Sequence, residues 1–274
     1  MLATTVYKAY TPCMAADYSK YLDLAKDLAL QGGKIAKLAQ EAGEIPKSIK
    51  TDTLAHVVTK YDTEIENLYV DAITKAFPTH RIYGEETGDH AGKSDFEWLI
   101  DPIDGTSNFA YGLPTFATML ALLHNDEVVA ATIYIPKMGE LLYAQKGGGA
   151  FLNGRKLSVC KMKTPAEAFI FLDRGGKKYD DWYMSFIKNN QSKIRGTRIL
   201  GSCGVQMAYV AAGRMDAFVS KGTKRYDRAP GVLFIQEAGG KLARFDGTPF
   251  QLGDEDLIAA NPSLVDAIVE ELKL

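Results

Sequence analysis

The sequence predicts a mixed α/β protein in two successive halves, residues 17–149 (α+β) and 150–274 (α/β), behind a loose arm at 1–16. Three patterns predict it. Apolar side chains recur at three- and four-residue steps from Tyr18 to Ala39, the spacing of a helix with one buried face. Two apolar runs, 115–124 and 128–136, flank Asn125-Asp126-Glu127 and read as a hairpin. Past residue 150, short apolar runs alternate with helical patterns, as in α/β folds. A chain of 274 residues, 46% hydrophobic and 24% charged, has material for one large domain or two modest ones.

The first helix should begin with Asp17 as N-cap and stop at Gly43, and Gly32-Gly33 inside it marks close packing against a neighbour. Residues 44–56 are polar and read as an exposed loop or hairpin carrying Lys47 and Lys50. Val57-Val58-Thr59 is extended, and a second helix opens at Asp62 with Ile65, Leu68, Tyr69, Ala72, Ile73 and Ala76 on one face. Ile82-Tyr83-Gly84 steps into Glu85-Glu86, and Trp98-Leu99-Ile100 is a buried strand that stops at Asp101-Pro102. Residues 141–144 form another strand. The glycines at 147–149 and 154 read as tight turns, because no Gly-Lys-Ser/Thr follows and no GxGxxG enters a helix. The second half predicts strands at 169–172, 197–200, 216–220 and 257–260. Its helices are expected at 180–189, through Val205 to Ala212, through Val232 to Ala238, and at 262–272.

The chemistry concentrates in residues 98–109, WLIDPIDGTSNF. A strand ending there delivers Asp101 and Asp104 to one rim, followed by Gly105 and the Thr106 hydroxyl. Such oxygens suit a hard divalent cation such as Mg²⁺. For Asp104-Gly105 alone, a plain turn is the structural alternative. Asp62 has a structural role available, since a carboxylate at a helix N-terminus accepts backbone N–H bonds. Glu85 and Glu86 point to opposite sides of an extended chain, so one at most faces a given site, and both can equally be solvated loop charges.

Composition excludes several classes. The formal net charge is −2, which gives no bulk surface for nucleic acid. Three scattered cysteines, Cys13, Cys160 and Cys203, form no CxxC pair and fit a reducing compartment. His56, His80, His90 and His124 lack metal-ligand spacing. No run approaches the ~18 apolar residues of a membrane span. The first 21 residues lack a leader's apolar stretch, so a cytoplasmic protein is expected.

WLIDPIDGTSNF resembles the signature of the inositol monophosphatase family, within the lithium-sensitive, Mg²⁺-dependent phosphatases. Three further stretches are similar to family elements in the family's order: Val58-Thr59-Lys60-Tyr61-Asp62, Gly84-Glu85-Glu86, and Tyr226-Asp227-Arg228-Ala229-Pro230-Gly231 with Glu237-Ala238-Gly239-Gly240. The resemblance implies a layered αβαβα sandwich of the inositol monophosphatase and fructose-1,6-bisphosphatase type, often a homodimer, with two or three Mg²⁺ ions where the halves meet. By motif position Glu85, Asp101, Asp104 and Asp227 would be side-chain metal ligands, and Ile103 would offer its carbonyl. Asp62 and Thr106 would sit around the attacking water, with Glu85 beside them in the catalytic set. Gly105, Thr106 and Ser107 would open a helix toward the phosphate.

The match departs at the second half. Tyr226 replaces a usual Trp, and Arg228-Ala229-Pro230 replaces small residues. Ser220 stands where inositol-specific members commonly carry a substrate-binding Glu, near Lys221, Lys224 and Arg225. That basic stretch is either a solvated loop or part of a pocket for a more anionic substrate. Arg198 is likewise structural or substrate-facing. The resemblance thus implies a phosphomonoesterase acting on a small phosphorylated polyol or sugar, with specificity expected around 198–228. A bisphosphatase on fructose 1,6-bisphosphate or 3′-phosphoadenosine 5′-phosphate is the alternative within the enzyme class, and the Asn108-Phe109 ending leans away from the nucleotide. Outside that class stand a non-catalytic binding protein of the same fold and a domain in which these acids are only caps and turns.

Overall fold

Helix α1 (Ser19–Glu41) buries Tyr21, Leu22, Ala25, Leu28, Ala29 and Ala36 along one stripe, as its periodicity requires. Its two internal glycines are contact points. A Cβ on Gly32 would meet Tyr69 Oη at 2.0 Å, and one on Gly33 would meet Tyr134 at 2.3 Å. The structure is a computed structural model and describes residues 17–43, 45, 48–49 and 57–274. The expected arm at 1–16, and Lys47 and Lys50, lie outside the described residues. Strands β1 (Ser48–Ile49) and β2 (Val57–Val58) pair antiparallel, and residues 50–56 between them lie outside the described residues. Helix α2 (Lys60–Ala76) starts two residues before Asp62. Thr59 is its N-cap, and Asp62 closes a capping box from the third helical position.

An eight-stranded sheet follows. It contains β3 (Arg81–Gly84), β4 (Gly88–His90), β5 (Phe96–Asp104), β6 (Ala117–His124), β7 (Glu127–Ile135), β8 (Glu140–Gln145), β9 (Gly149–Leu152) and β10 (Arg155–Lys156). The order is β10-β9-β8-β7-β6-β5-β3-β4. Two expectations are corrected here. Residues 149–152 are a strand rather than only turns, since Leu142–Gln145 supplies a partner for each of them. Strand β5 also runs on through Asp101-Pro102 to Asp104. The register shifts between the two aspartates, and proline, which has no N–H to donate, is tolerated at such an irregularity. Gly105 then turns the chain with φ +82° into the short helix α3 (Thr106–Ala110).

Strands β9 and β10 carry the large sheet past the expected division at 149/150, and residues from 169 on build a five-stranded sheet from β11 (Phe169–Arg174), β12 (Gly196–Arg198), β13 (Ala217–Lys221), β14 (Lys241–Ala243) and β15 (Asp256–Ala260). The order is β12-β11-β13-β15-β14. Its helices are α4 (Asp180–Asn190), α5 (Cys203–Ala211), α6 (Arg225–Glu237) and α7 (Pro262–Glu271). Helices α1 and α2 cover one face of the large sheet, α5 and α6 fill the space between the sheets, and α4 and α7 cover the far face. This is the layered αβαβα order. One apolar core lies on each side of the large sheet and a third lies under α4 and α7. Both β5 and β11 therefore end beside the central helix layer, where polar side chains can be held off the cores. Among the described residues no helix is long and apolar enough to cross a membrane.

Candidate active site

A cavity of about 430 Å³ opens where β5, β11, α3, α5 and α6 meet. Glu85, Asp101, Ile103, Asp104, Gly105, Thr106, Ser107 and Asp227 all line it, drawn from three separate stretches of chain. Asp101 and Asp104 are 2% and 5% exposed, the first fixed by β5 and the second at its end. Asp227 sits in the first turn of α6 and accepts the Lys224 amide at 2.6 Å. The Glu85 backbone is anchored to the Ile100 carbonyl at 3.2 Å. Burial comes first in raising the Asp101 and Asp227 carboxyls well above the ordinary range, and the Glu85 charge adds to both. Asp104 is pushed up to about 6 by burial, against the hydrogen bonds it receives.

Those bonds define its pose. Asp104 accepts from Ser202 Oγ at 2.5 Å and from the amides of Cys203, Gly204 and Val205 at 2.9, 2.8 and 3.3 Å, so it caps α5 across the interface between the halves. Asp101 Oδ1, by contrast, is buried with no hydrogen-bond partner. As posed, no three acidic, His or Cys side chains among the described residues converge on one ion. The donor chemistry nevertheless fits a hard divalent cation: the ligands are oxygens, their charges repel one another, and one buried carboxylate oxygen lacks a donor.

Asp62 lies behind this wall, fully buried, and reaches the cavity through Thr106. Thr106 Oγ1 stands 3.1 Å from Asp62 Oδ1 and 2.9 Å from the Ile103 carbonyl. Asp62 Oδ2 accepts from Thr59 N at 2.8 Å and Thr59 Oγ1 at 2.7 Å. Its structural and site-facing roles therefore coexist, and burial raises its carboxyl.

The structure does not bring Ser220 or Arg198 to the cavity wall. Ser220 is fully buried on β13, with Thr223 Oγ1 3.5 Å from its hydroxyl. The Arg198 guanidinium donates to the Thr197 carbonyl at 2.8 Å and lies over Phe169. Of the basic run, Lys224 lines the cavity, whereas Arg225 is committed to Glu97 at 2.8 Å. Arg228 donates to the Asp254 carbonyl at 2.7 Å and packs on Phe250. Tyr226 remains an aromatic wall, stacked near Tyr83. The described histidines are structural. His80 accepts from Trp98 Nε1 at 3.1 Å, His124 stacks on Phe96, and His90 meets Thr87 Oγ1 at 2.6 Å.

Sequence reasoning missed four residues. Glu66, fully buried on α2, accepts the amides of Glu86 at 3.0 Å and Thr87 at 2.6 Å and so shapes the turn that carries Glu85. Gly84 leaves room for it, since a Cβ there would lie 2.2 Å from Glu66 Oε1. Asn108 Nδ2 donates to the carbonyls of Thr115 and Leu200, both at 2.6 Å, tying α3 to the loop before α5. Asp173 lines the cavity at the end of β11, and Gln206 of α5 holds it. The signal for Asp173 was present: an apolar run, 169–172, ending in an acid, as at Asp101. The cavity wall includes residues 172–176 and Tyr183, outside the stretch 198–228 where specificity was expected.

The inositol monophosphatase family pattern matches residues 17–273. The chain belongs to the inositol monophosphatase family. An inositol-1-monophosphatase of Mesorhizobium japonicum is 32% identical over 259 residues, 93% of this chain and 97% of that protein. A fructose-1,6-bisphosphatase/inositol-1-monophosphatase of Thermotoga maritima is 36% identical over 228 residues, 83% of this chain and 87% of that protein. The solved structure of the extragenic suppressor protein suhB from Bartonella henselae superposes with a TM-score of 0.86 at 28% identity, covering 93% of this chain and 98% of that one. The family and these relatives point to a phosphatase, and the family is generally metal-dependent.

Proposed function

We propose that the protein is a Mg²⁺-dependent phosphomonoesterase that hydrolyses a small phosphorylated polyol or sugar by attack of a water molecule. The observation that carries this reading is the single wall formed by Glu85, Asp101, Asp104 and Asp227, acids whose mutual repulsion a bound cation would relieve. These four side chains and the Ile103 carbonyl would hold the metal. Bound Mg²⁺ supplies Lewis-acid charge stabilisation and makes a bound water more acidic.

The remaining work falls to the chain's own groups. Thr106 and Asp62 form a short path along which a proton leaving the water is accepted, since Thr106 Oγ1 donates within 3.1 Å of a buried carboxylate. Gly105, Thr106 and Ser107, at the start of α3, line the cavity, and their backbone amides would receive the phosphate oxygens. Asn108 and the Asp104 cap of α5 fix these amides relative to the second half. No serine or cysteine nucleophile is required, and Cys203 is buried with its thiol pushed up.

A bisphosphatase reading stands second. Arg174 and Lys224 line the same cavity, and a Thermotoga maritima relative is named for fructose 1,6-bisphosphate as well as inositol 1-phosphate. One panel tests both. Phosphate release is measured with Mg²⁺ on myo-inositol 1-phosphate, fructose 1,6-bisphosphate, 3′-phosphoadenosine 5′-phosphate and histidinol phosphate. The leading reading expects the inositol ester to turn over at least as well as the two bisphosphates. A clear preference for a bisphosphate selects the second reading, and no release from any of them refutes both.

A further inference from the structure

Asp173 has no part in the chemistry above, yet it lines the cavity. It sits at the open end of β11, where Phe169–Leu172 run out of the core. Two donors fix its carboxylate: the Arg174 amide reaches Oδ1 at 2.7 Å, and Gln206 Nε2 reaches Oδ2 at 2.8 Å. Gln206 is fully buried and is itself locked, because its Oε1 accepts the Leu200 amide at 2.9 Å. The neighbouring guanidinium of Arg174 is drawn aside by Asp180 and lies over the Tyr183 ring. A carboxylate offers about four lone-pair sites, so roughly half remain for a partner in the cavity.

We propose that Asp173 is a specificity residue: it accepts hydrogen bonds from hydroxyls on the non-reacting part of the substrate, and Gln206 is the positioning residue that holds it for that task. The inference rests on the phosphatase reading. The physical case is preorganisation. A side chain held at both oxygens by groups that are themselves fixed loses little freedom when it binds. In its ionised form, which predominates near pH 8 where the assays are run, the group is acceptor-only: it selects hydroxyl donors and repels a second phosphate or carboxylate at the same place. The Gln206 amide joins three things in one chain of bonds: the Leu200 loop, the α5 helix and the β11 rim. Because Asn108 of α3 holds the same loop from its other side, the hydroxyl-binding end and the phosphate-binding end of the cavity are built as one unit.

The test compares two esters, myo-inositol 1-phosphate and p-nitrophenyl phosphate, whose leaving group carries no hydroxyls. In Asp173→Asn, kcat/KM for the inositol ester should fall at least about tenfold further than for the nitrophenyl ester, with the difference in KM. Gln206→Met should shift the same ratio in the same direction by less, since the carboxylate is present but no longer held. Asn matches Asp in size and removes charge beside Asp104, so folding is expected to survive, and a thermal melt of each variant checks it. Equal losses on both esters, or a difference confined to kcat, would overturn the proposal. Calorimetric binding of myo-inositol 1-phosphate to wild type and Asp173→Asn provides a readout that needs no turnover. Weaker binding by the variant supports the proposal and unchanged binding overturns it, even if neither ester is hydrolysed and the phosphatase reading itself fails.

Discussion

Replacing Asp101 by Asn should stabilise the metal-free protein and blunt its response to Mg²⁺. Asp101 is 2% exposed, its Oδ1 has no donor, and Glu85, Asp104, Asp227 and Asp62 all act on it with like charge. Leaving a buried charge uncompensated costs about 3–5 kcal/mol, part of which the wild type avoids by holding a proton. Asn removes the charge at equal size but leaves a poorly satisfied amide, which returns about 1–2 kcal/mol of that gain. The net expectation is a gain of about 2 kcal/mol, or roughly 4 °C for a chain of this size. Thermal melts in chelator near pH 8 measure it. Mg²⁺ at a hundred times its dissociation constant should then raise the wild type by about 2.7 kcal/mol and the variant by much less. A variant that melts below wild type in chelator, or that keeps the whole Mg²⁺ response, would refute the reasoning.

Gly32→Ala should cost about 1–3 kcal/mol by overpacking, because the new methyl would sit 2.0 Å from Tyr69 Oη. Tyr69→Phe should recover part of that loss, and strict additivity in a double-mutant cycle would contradict the contact. Asp62→Asn should lower kcat about 10²- to 10⁴-fold with little change in KM, because Asp62 acts through Thr106 rather than on the substrate. An effect carried by KM alone would speak against a proton-accepting role. Burial raises the Asp173 carboxyl from 3.8 to about 7, so between those values the folded state keeps a proton that the unfolded chain has released. The sign follows: wild-type stability should fall as pH rises from about 4 to about 7 and stay lower above, and Asp173→Asn should show a shallower slope, the remainder coming from the other raised acids Asp62, Asp101, Asp104 and Asp227. Three units would be worth about 4 kcal/mol, and water in the cavity reduces this to about 1–2 kcal/mol. Urea midpoints in chelator near pH 5 and pH 8 check it, and identical slopes in both proteins would contradict it.

How much of this was legible in the sequence depended on whether the information was local. Residues 98–109 state their chemistry because six cavity-lining positions, 103–108, are consecutive and Asp101 is two residues away. The layered fold was legible because its helices carry one buried stripe and its hairpin turns at Asn125-Asp126, both in left-handed conformation. The end of β5 was misread because Pro102 signals a stop locally, while the register shift that absorbs it depends on β6. Asp62 was read as an opening cap because the Thr59 cap and the Asp62 carboxylate act together, three residues apart. The roles of Glu66, Asn108 and Gln206 were hidden for a different reason. Each is a single polar residue whose partner lies 20, 92 or 33 positions away, so only the packed structure gives it a role. Ser220 shows the converse, since a position inferred from a motif's spacing can be turned out of the wall by the pleat of the strand that carries it, and Arg198, left open as structural or substrate-facing, does not line the cavity either.

The central claim is that four acids from three separate stretches hold a divalent cation for phosphate-ester hydrolysis. Its most direct test is phosphate release from myo-inositol 1-phosphate as a function of Mg²⁺ concentration, set against the same protein in chelator. The account predicts no release in chelator and a saturable rise with Mg²⁺ that Asp101→Asn loses while remaining folded. Release that persists undiminished in chelator, or that Asp101→Asn retains in full, would contradict it.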